Sequence, residues 1–291
     1  MYVATFLCDP SEPILIDELI SKYYTNFGGK AVIWLNGGIA ADVKIPAIPT
    51  DLKEIWSELQ TKKIDLVVQR ERNREKKVLI ADMDSTIIKQ ESLNELADEA
   101  GFGNQIRKIT EDAMKGDLEF DEALRRRVKY LKGVSIDTIN RVIDERIWLS
   151  AGARTLISTL KKHNVYTALI SGGFTNFSSK IASKLGFHEH HANQFIHMNK
   201  KLTGAVKDPI LGKDSKVNIM RTLSKKFALP TDSFIAVGDG ANDIGMLQLA
   251  GSGVAMHAKK IVQSKSKIII NHSDLTALLY LQGYQSDDFI D

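Results

Sequence analysis

Short apolar runs alternate with stretches of helical hydrophobic spacing over the first 70 residues of the chain. Apolar runs rich in β-branched and aromatic residues predict strands, and apolar positions recurring every three or four residues predict helices. The predicted order is strand, helix, strand, strand, helix, strand, over residues 2–7, 14–24, 31–35, around Val43, 51–59 and 64–69. This order is typical of a small ferredoxin-like α+β domain, which we predict for residues 1–72.

A run of mixed charge, RERNREKK at residues 70–77, follows this domain. Such a run is open to two interpretations, a basic patch for nucleic acid or a solvated linker. The two interspersed glutamates favour the linker, because they weaken any positive field. We therefore predict a domain boundary here, between residues 1–72 and a catalytic region of residues 73–291.

Strand patterns and helical patterns alternate again beyond the linker. Alternation of this kind predicts an α/β fold, a doubly wound, Rossmann-like parallel sheet covered by helices on both faces. The predicted strands are residues 78–81, 165–170, 234–237, 253–256 and 268–270. Residues 194–198 and 202–206 flank Asn199, which indicates a hairpin.

Residues 92–147 carry helical patterns alone, in more length than one crossover helix needs. We interpret them as a helical cap inserted into the core at about residues 89–150. Ser92 and Glu95 have the spacing of a capping box, which predicts that Ser92 caps the first of these helices.

Charge and cysteine usage exclude several classes of protein. The 39 basic and 36 acidic side chains leave a formal charge of only +3, which argues against nucleic acid or an anionic membrane as a partner. Cys8 is the only cysteine, so the chain forms no internal disulfide. Neither a signal peptide nor an apolar run of about 20 residues is present, and we expect a cytoplasmic protein without a membrane span.

Two acidic residues, Asp82 and Asp84, follow the predicted buried strand of residues 78–81. Open α/β sheets bind ligands at the carboxyl ends of their strands, and an i, i+2 spacing can aim both side chains at one centre. One carboxylate could then attack while the other moves protons. The alternative is a surface turn, where aspartate and serine are common.

A second acidic cluster, Asp239, Asn242 and Asp243, follows the predicted strand of residues 234–237. Carboxylate oxygens suit Mg²⁺, which usually takes one or two protein carboxylates. The alternative is an acidic helix N-terminus favoured by the helix dipole.

A third strand, residues 165–170, leads into Ser171, Gly172 and Gly173. A serine hydroxyl and glycine amides at a helix start could hold phosphate oxygens, and Lys216 could neutralise their charge. Each feature also has an ordinary interpretation, a glycine-rich turn and an exposed lysine.

Four ordered motifs together resemble the haloacid dehalogenase superfamily, and within it the phosphoserine phosphatases. They are DMDST at 82–86, SGGF at 171–174, Lys216 and GDGAND at 238–243, and the resemblance runs from about residue 78 to about residue 282. It implies that phosphoserine is hydrolysed through an aspartyl-phosphate to L-serine, as in the last step of serine biosynthesis. It also implies that the enzyme acts on a small molecule and requires Mg²⁺ as cofactor.

The resemblance also implies a role for each motif residue. Asp82 would be the nucleophile and Asp84 the general acid and then base. Mg²⁺ would bind the Asp82 side chain, the Asp84 backbone carbonyl and Asp239, with Asp243 in support. The residues implied around the phosphate are Ser171, Gly172, Lys216 and Asn242.

Arg127 lies in the predicted helix of residues 120–131, where it borders the apolar face containing Leu124 and Leu131, whereas Arg126 points to solvent. A guanidinium in that position needs an anionic partner. The partner is either an acid within the cap or a substrate carboxylate. The resemblance implies the substrate, and it implies that Glu91 pairs with the substrate ammonium.

Two further questions stay open on the sequence. The enzyme could be a phosphatase or phosphotransferase for another small phosphorylated metabolite. The N-terminal domain could bind an amino acid as a sensor, or it could join two chains in a homodimer. We expect His188, His190, His191 and His197 to be surface or structural residues, because they lack the spacing of a zinc site.

Overall fold

The computed structural model describes residues 1–115 and 118–290, and the chain divides into two compact units. The first unit comprises Met1–Leu79, Ala151–Tyr166 and Leu229–Asp291, and the second comprises Ile80–Ser150 and Thr167–Ala228. Across the described ranges, every helix is too short or too polar to cross a membrane.

The N-terminal part of the first unit has the predicted βαββαβ order. Its elements are β1 (Tyr2–Leu7), α1 (Asp17–Asn26), β2 (Ala31–Asn36), β3 (Ala40–Ile45), α2 (Leu52–Thr61) and β4 (Asp65–Arg70). The strands pair antiparallel in the order β2-β3-β1-β4. The rings of Phe6, Tyr23 and Phe27 pack together in the core of this domain. The ferredoxin-like prediction is confirmed.

The charged run after β4 is exposed at five of its eight residues, as a solvated segment would be, but Arg74 and Lys76 have specific partners. The Lys76 side chain is buried, and its Nζ donates hydrogen bonds to the backbone oxygens of Asn73 at 2.8 Å and Asp232 at 2.9 Å. Burial lowers the pKa of Lys76. Arg74 forms an ion pair at 2.6 Å with the buried carboxylate of Asp42. The high charge density of the segment predicts exposure, and the predicted exposure fails at the two cations that have specific partners.

Asp65 joins the N-terminal domain to the C-terminal segment of the first unit. This carboxylate is fully buried and accepts three backbone hydrogen bonds of 2.9 Å, from Asn271, His272 and Ser273. Gln69 donates a further hydrogen bond to the backbone oxygen of Leu281 at 2.7 Å. A buried carboxylate is retained only where such donors satisfy it, so residues 1–72 are an integral part of this unit. The domain boundary itself stays a prediction.

The remaining elements alternate strands with helices, as predicted. They are β5 (Val78–Ala81), α3 (Ser92–Glu99), α4 (Gly103–Lys115), α5 (Phe120–Tyr130), α6 (Ile136–Arg146), α7 (Ala153–Lys162), β6 (Tyr166–Phe174), α8 (Thr175–Leu185), β7 (Glu189–Asn193), β8 (Phe195–Met198), β9 (Lys201–Val206), α9 (Lys213–Phe227), β10 (Phe234–Gly238), α10 (Ile244–Leu249), β11 (Ser252–Met256), α11 (Lys260–Gln263), β12 (Ile268–Ile270) and α12 (Ala277–Tyr280). In the first unit β10, β11 and β12 pair in parallel, and in the second β6 and β7 pair in parallel. The α/β class, the helical block α3–α6 and the antiparallel hairpin β8–β9 are confirmed.

Two local predictions in the second unit are wrong. The histidine-rich segment, for which no strand was predicted, forms strand β7, because β6 supplies the backbone partners that the sequence pattern of the segment does not show. The predicted capping box is absent: Glu91 occupies the N-cap position of α3, its side chain does not cap the helix, and Ser92 is already helical. The Ser92 amide donates to Asp84 Oδ1 at 2.7 Å, so a distant carboxylate takes the capping role.

Candidate active site

The strand β5 delivers Asp82 into a buried position. All four residues of β5 are fully buried, and Asp82 directly after them is 5% exposed. Lys216, in the first turn of α9 and 3% exposed, forms an ion pair with Asp82 Oδ1. Charges taken out of water require a partner, so Lys216 is not the exposed lysine of the ordinary interpretation. The structure brings these two predicted residues together.

Asp84 is held by donors from two separate elements. Its Oδ1 accepts the Ser92 amide, and its Oδ2 accepts the hydroxyl hydrogen of Ser171 at 2.9 Å. Ser85, directly after it, has a φ of +55°, a left-handed conformation that costs on the order of 1 kcal/mol in a non-glycine residue. Such strain is frequent in functional loops. The segment is therefore a shaped loop that aims the Asp84 carboxylate, and the surface-turn interpretation does not apply.

Ser171, Gly172 and Gly173, for which the sequence predicts phosphate contacts, form a compact loop that we call the phosphate loop. Ser171 is buried, and its Oγ accepts the Gly173 amide hydrogen at 2.9 Å while its hydroxyl donates to Asp84. A Cβ atom at Gly173 would lie 2.9 Å from Asp84 Oδ2, and one at Gly172 would lie 3.3 Å from Phe120 Cζ. Gly173 therefore allows the backbone to approach the Asp84 carboxylate closely. The loop lies within β6, which continues to Phe174, whereas the sequence predicted a strand end at Ile170.

The second acidic cluster lies in the first unit, after β10. Asp243 is fully buried, and its Oδ2 accepts the Gly240 amide hydrogen at 2.9 Å. A Cβ atom at Gly238 would lie 2.4 Å from Asp243 Cγ, so the backbone wraps closely around this carboxylate. Asp239 and Asn242 are partly buried in the same loop. By holding the Gly240 amide, the Asp243 carboxylate shapes the loop that carries Asp239.

The predicted specificity pair lies in the second unit. Arg127, on α5, is half-buried, and burial lowers its pKa while the negative charges of Glu91 and Asp84 oppose that shift. Glu91 Oε1 accepts a hydrogen bond from the Ser85 hydroxyl at 3.0 Å. The neighbouring Arg126 instead forms an exposed ion pair with Glu122 on its own helix. Among the three successive arginines, Arg127 is thus the one that faces the acids of the site.

Asn193 and Ser92 contribute to this site, and neither was predicted from the sequence to be a site residue. Asn193, the last residue of β7, is buried and donates from Nδ2 to the Gly172 carbonyl oxygen at 2.9 Å. No local signal marks it, because the sequence predicted no strand at residues 189–193. Ser92 contacts Asp84 through its backbone amide, so its side chain gave no signal of this contact.

The histidines of β7 and the residue before it have structural partners. His188 Nδ1 accepts the Thr167 amide hydrogen at 3.1 Å, and His190 Nδ1 shares a hydrogen bond of 2.9 Å with the Ser178 hydroxyl. These contacts agree with the expected structural role of the two side chains.

The chain is similar to known phosphatases in sequence. The model of the haloacid dehalogenase-like hydrolases matches residues 79–248. Phosphoserine phosphatase of Haemophilus influenzae is 41% identical over 204 residues, which make up 70% of this chain and 65% of that enzyme, so the match spans less than two thirds of its length. Phosphoserine phosphatase of Methanocaldococcus jannaschii is 38% identical over 206 residues, 71% of this chain and 97% of that enzyme.

A solved structure resembles nearly the whole chain. It is that of a HAD family hydrolase from Salmonella enterica serovar Typhi, with a TM-score of 0.87 and 29% identity. The superposition covers 97% of this chain and 99% of that one. The likeness therefore includes the N-terminal antiparallel domain as well as the α/β region.

Proposed function

Because the chain belongs to the haloacid dehalogenase-like hydrolases, we propose that it hydrolyses O-phospho-L-serine to L-serine and inorganic phosphate. The observation that carries the proposal is the buried Asp82, which is paired with Lys216 and followed two residues later by the oriented carboxylate of Asp84. A phosphoryl-accepting aspartate and a proton-transferring aspartate need this arrangement. The curated relatives named as phosphoserine phosphatases support the substrate. The proposed enzyme is cytoplasmic and supplies serine for biosynthesis.

The first step transfers the phosphoryl group to Asp82. A carboxylate oxygen of Asp82 attacks the phosphorus atom, and the bond from phosphorus to the seryl oxygen breaks. Asp84 gives its proton to that departing oxygen, so that serine leaves as a neutral alcohol. The Lys216 ammonium, which contacts Asp82, compensates the negative charge that gathers on the phosphoryl oxygens.

The second step releases phosphate. Asp84, now ionised, takes a proton from a water molecule whose oxygen attacks the phosphorus atom. The bond between phosphorus and Asp82 breaks, which restores the carboxylate. Because a hydroxyl can donate or accept, Ser171 can donate to the ionised Asp84 and turn to accept from its protonated form.

Several polar groups of the chain position the phosphoryl group. The proposal assigns its oxygens to the Ser171 hydroxyl, the Gly172 amide, Lys216 and Asn242. Phosphoryl transfer needs little covalent assistance beyond the nucleophile, so fixed donors of this kind supply most of the catalysis.

The proposed cofactor is Mg²⁺. The residues offered are the carboxylates of Asp82 and Asp239 and the backbone carbonyl of Asp84, while Asp243 maintains the loop that carries Asp239. Carboxylate oxygens such as those of Asp82 and Asp239 suit a hard cation that prefers oxygen ligands. When bound, the ion neutralises charge on the phosphoryl oxygens and on Asp82.

Glu91 and Arg127 are proposed to recognise the amino acid part of the substrate. Arg127 offers a guanidinium that can hold a carboxylate through two hydrogen bonds. Glu91 offers a negative charge for the ammonium group. Roles of the N-terminal domain in binding an amino acid or in forming a homodimer stay predictions.

The function is tested by phosphate release from a panel of esters with Mg²⁺ present. We expect the largest kcat/KM for phosphoserine, above that for glycerol 3-phosphate, glucose 6-phosphate and para-nitrophenyl phosphate. Only phosphoserine offers both an ammonium and a carboxylate to Glu91 and Arg127. A different preferred ester would contradict the substrate, and phosphate appearing on an added alcohol instead of in solution would indicate a phosphotransferase.

The metal requirement is tested separately. Exhaustive chelation should abolish phosphate release, added Mg²⁺ should restore it, and excess Ca²⁺ should inhibit, because Ca²⁺ prefers 6–8 ligands at longer distances. Asp239→Asn should raise the Mg²⁺ concentration needed for half-maximal activity, whereas Asp232→Asn, before β10, should not. Full activity after chelation would refute the proposed role of Asp239.

A further inference from the structure

We propose that Asn193 is a positioning residue that fixes the phosphate loop and the start of α9 relative to each other. The two segments carry the proposed phosphate ligands Ser171, Gly172 and Lys216, so the inference rests on the proposed function. Asn193 itself does not contact the phosphate. It acts on the phosphate ligands through the backbone of Gly172 and Leu211, its two hydrogen-bond partners.

The contacts of Asn193 use both ends of its side-chain amide. Its Nδ2 donates to the Gly172 carbonyl oxygen at 2.9 Å, and its Oδ1 accepts the Leu211 amide hydrogen at 2.8 Å. The side chain is 2% exposed, so water offers little substitute for either bond. The orientation of the amide follows from its partners, since a carbonyl can only accept and a backbone N–H can only donate.

The phosphate loop needs such a partner because it interrupts the pairing of β6 with β7. Ile170 pairs with His191 and Phe174 pairs with Asn193, so residues 171–173 lie opposite Ala192 alone. Extra residues in one strand lose regular ladder bonds. The Asn193 side chain supplies the Gly172 carbonyl with the donor that the interrupted ladder does not.

Holding the Gly172 carbonyl also orients the next amide of the loop. The carbonyl of Gly172 and the N–H of Gly173 belong to one planar peptide group, so they turn together. The Gly173 N–H donates to Ser171 Oγ, whose hydroxyl donates to Asp84. Asn193 thus acts on a phosphate ligand and on the orientation of the proton-transferring carboxylate through one peptide plane.

The second contact of Asn193 reaches the segment that opens α9. Leu211 lies two residues before Lys213, the first residue of that helix, and Lys216 follows within its first turn. Fixing the Leu211 amide therefore fixes the entry of the chain into the helix that carries Lys216. One side chain sets the spacing between the loop amides and the lysine.

Asn193→Asp tests this role through its pH dependence. At pH 8 the introduced carboxylate cannot donate to the Gly172 carbonyl, and we expect the dissociation constant of inorganic phosphate to rise about 10-fold or more, as loss of a buried hydrogen bond predicts. When protonated, the carboxyl group has one donor and one acceptor, as the amide does. Burial raises the pKa of such a group, so affinity relative to the parent should recover toward pH 5.5.

Calorimetric titration with inorganic phosphate in the presence of Mg²⁺ measures this affinity for the full chain. Asn193→Ser, which is smaller and uncharged, should weaken binding at both pH values. The matched control is Ser178→Ala, which removes a buried hydrogen bond between α8 and His190 of β7 and should leave phosphate affinity unchanged.

Parent-like phosphate affinity in folded Asn193→Asp at pH 8, or a loss equal to that of Ser178→Ala, would overturn the proposal. The proposal would also be overturned if the loss of phosphate affinity in Asn193→Asp were as large at pH 5.5 as at pH 8. A purely structural defect would not depend on protonation of the introduced carboxyl group. The measurement does not use phosphoserine, so a wrong substrate assignment would appear in the ester panel and leave this result standing.

Discussion

Asp82→Asn is expected to lower the rate of phosphate release from phosphoserine by on the order of 10³-fold or more, as removal of a nucleophile does in other covalent enzymes. An amide oxygen is a poor nucleophile, so the aspartyl-phosphate cannot form. The fold should persist, because asparagine has the same shape and its amide oxygen can still accept a hydrogen bond from Lys216. Steady-state phosphate release and the circular dichroism of the variant measure both expectations.

Acid quenching gives a direct measurement of the intermediate. Parent enzyme stopped during turnover should carry an added phosphoryl group on the peptide containing residue 82, and the variant should not. The control is Asp208→Asn, which removes the exposed partner of Arg125 in the same unit. Activity above a few per cent of the parent in Asp82→Asn would show that the covalent mechanism is wrong.

Glu91→Gln and Arg127→Ala are expected to reduce kcat/KM for phosphoserine far more than for para-nitrophenyl phosphate. Bound substrate would cover the charges of Glu91 and Arg127, and truncating one partner of a charge pair buried in this way costs about 2–5 kcal/mol, which corresponds to roughly 30-fold to several thousand-fold. An ester without ammonium and carboxylate groups never made those contacts. The quantity to measure is the ratio of the two kcat/KM values in the parent and in each variant.

A matched control for this ratio is Arg126→Ala, the adjacent arginine whose ion pair with Glu122 is exposed. Its ratio should stay at the parent value. Equal losses on both substrates in Arg127→Ala would mean that Arg127 stabilises the cap and that it does not select the substrate. An unchanged rate on phosphoserine would rule out the specificity assignment but would leave the chemistry of Asp82 intact.

The parts of the fold that follow from local pattern were predictable from the sequence. The strand before Asp82 has four apolar residues, all fully buried, and the acids that follow it lie where strand ends place ligand-binding groups. The ferredoxin-like order also followed from alternating patterns. Each of these features depends on neighbours in sequence, which a pattern records.

Features that depend on distant partners were not predictable. Four of the five residues of strand β7 are polar, and the strand forms because β6 pairs with it. Lys76 is buried because two backbone carbonyls, one of them that of Asp232, replace its hydration. Asn193 gains its significance only when Gly172 and Leu211 are brought to its two ends. The chemical type of a residue does not show which residues far along the chain it will contact in the fold.

The bonds of Asp65 have a consequence for the order in which the protein is made. Asp65 and Asn271 are 206 positions apart. At synthesis rates of about 5–20 residues per second, the donors of the Asp65 carboxylate are therefore made about 10–40 s after Asp65 itself. During that interval every residue of the second unit leaves the ribosome. The N-terminal domain is therefore made well before the segment that completes it, and during that interval the Asp65 carboxylate remains hydrated at its surface.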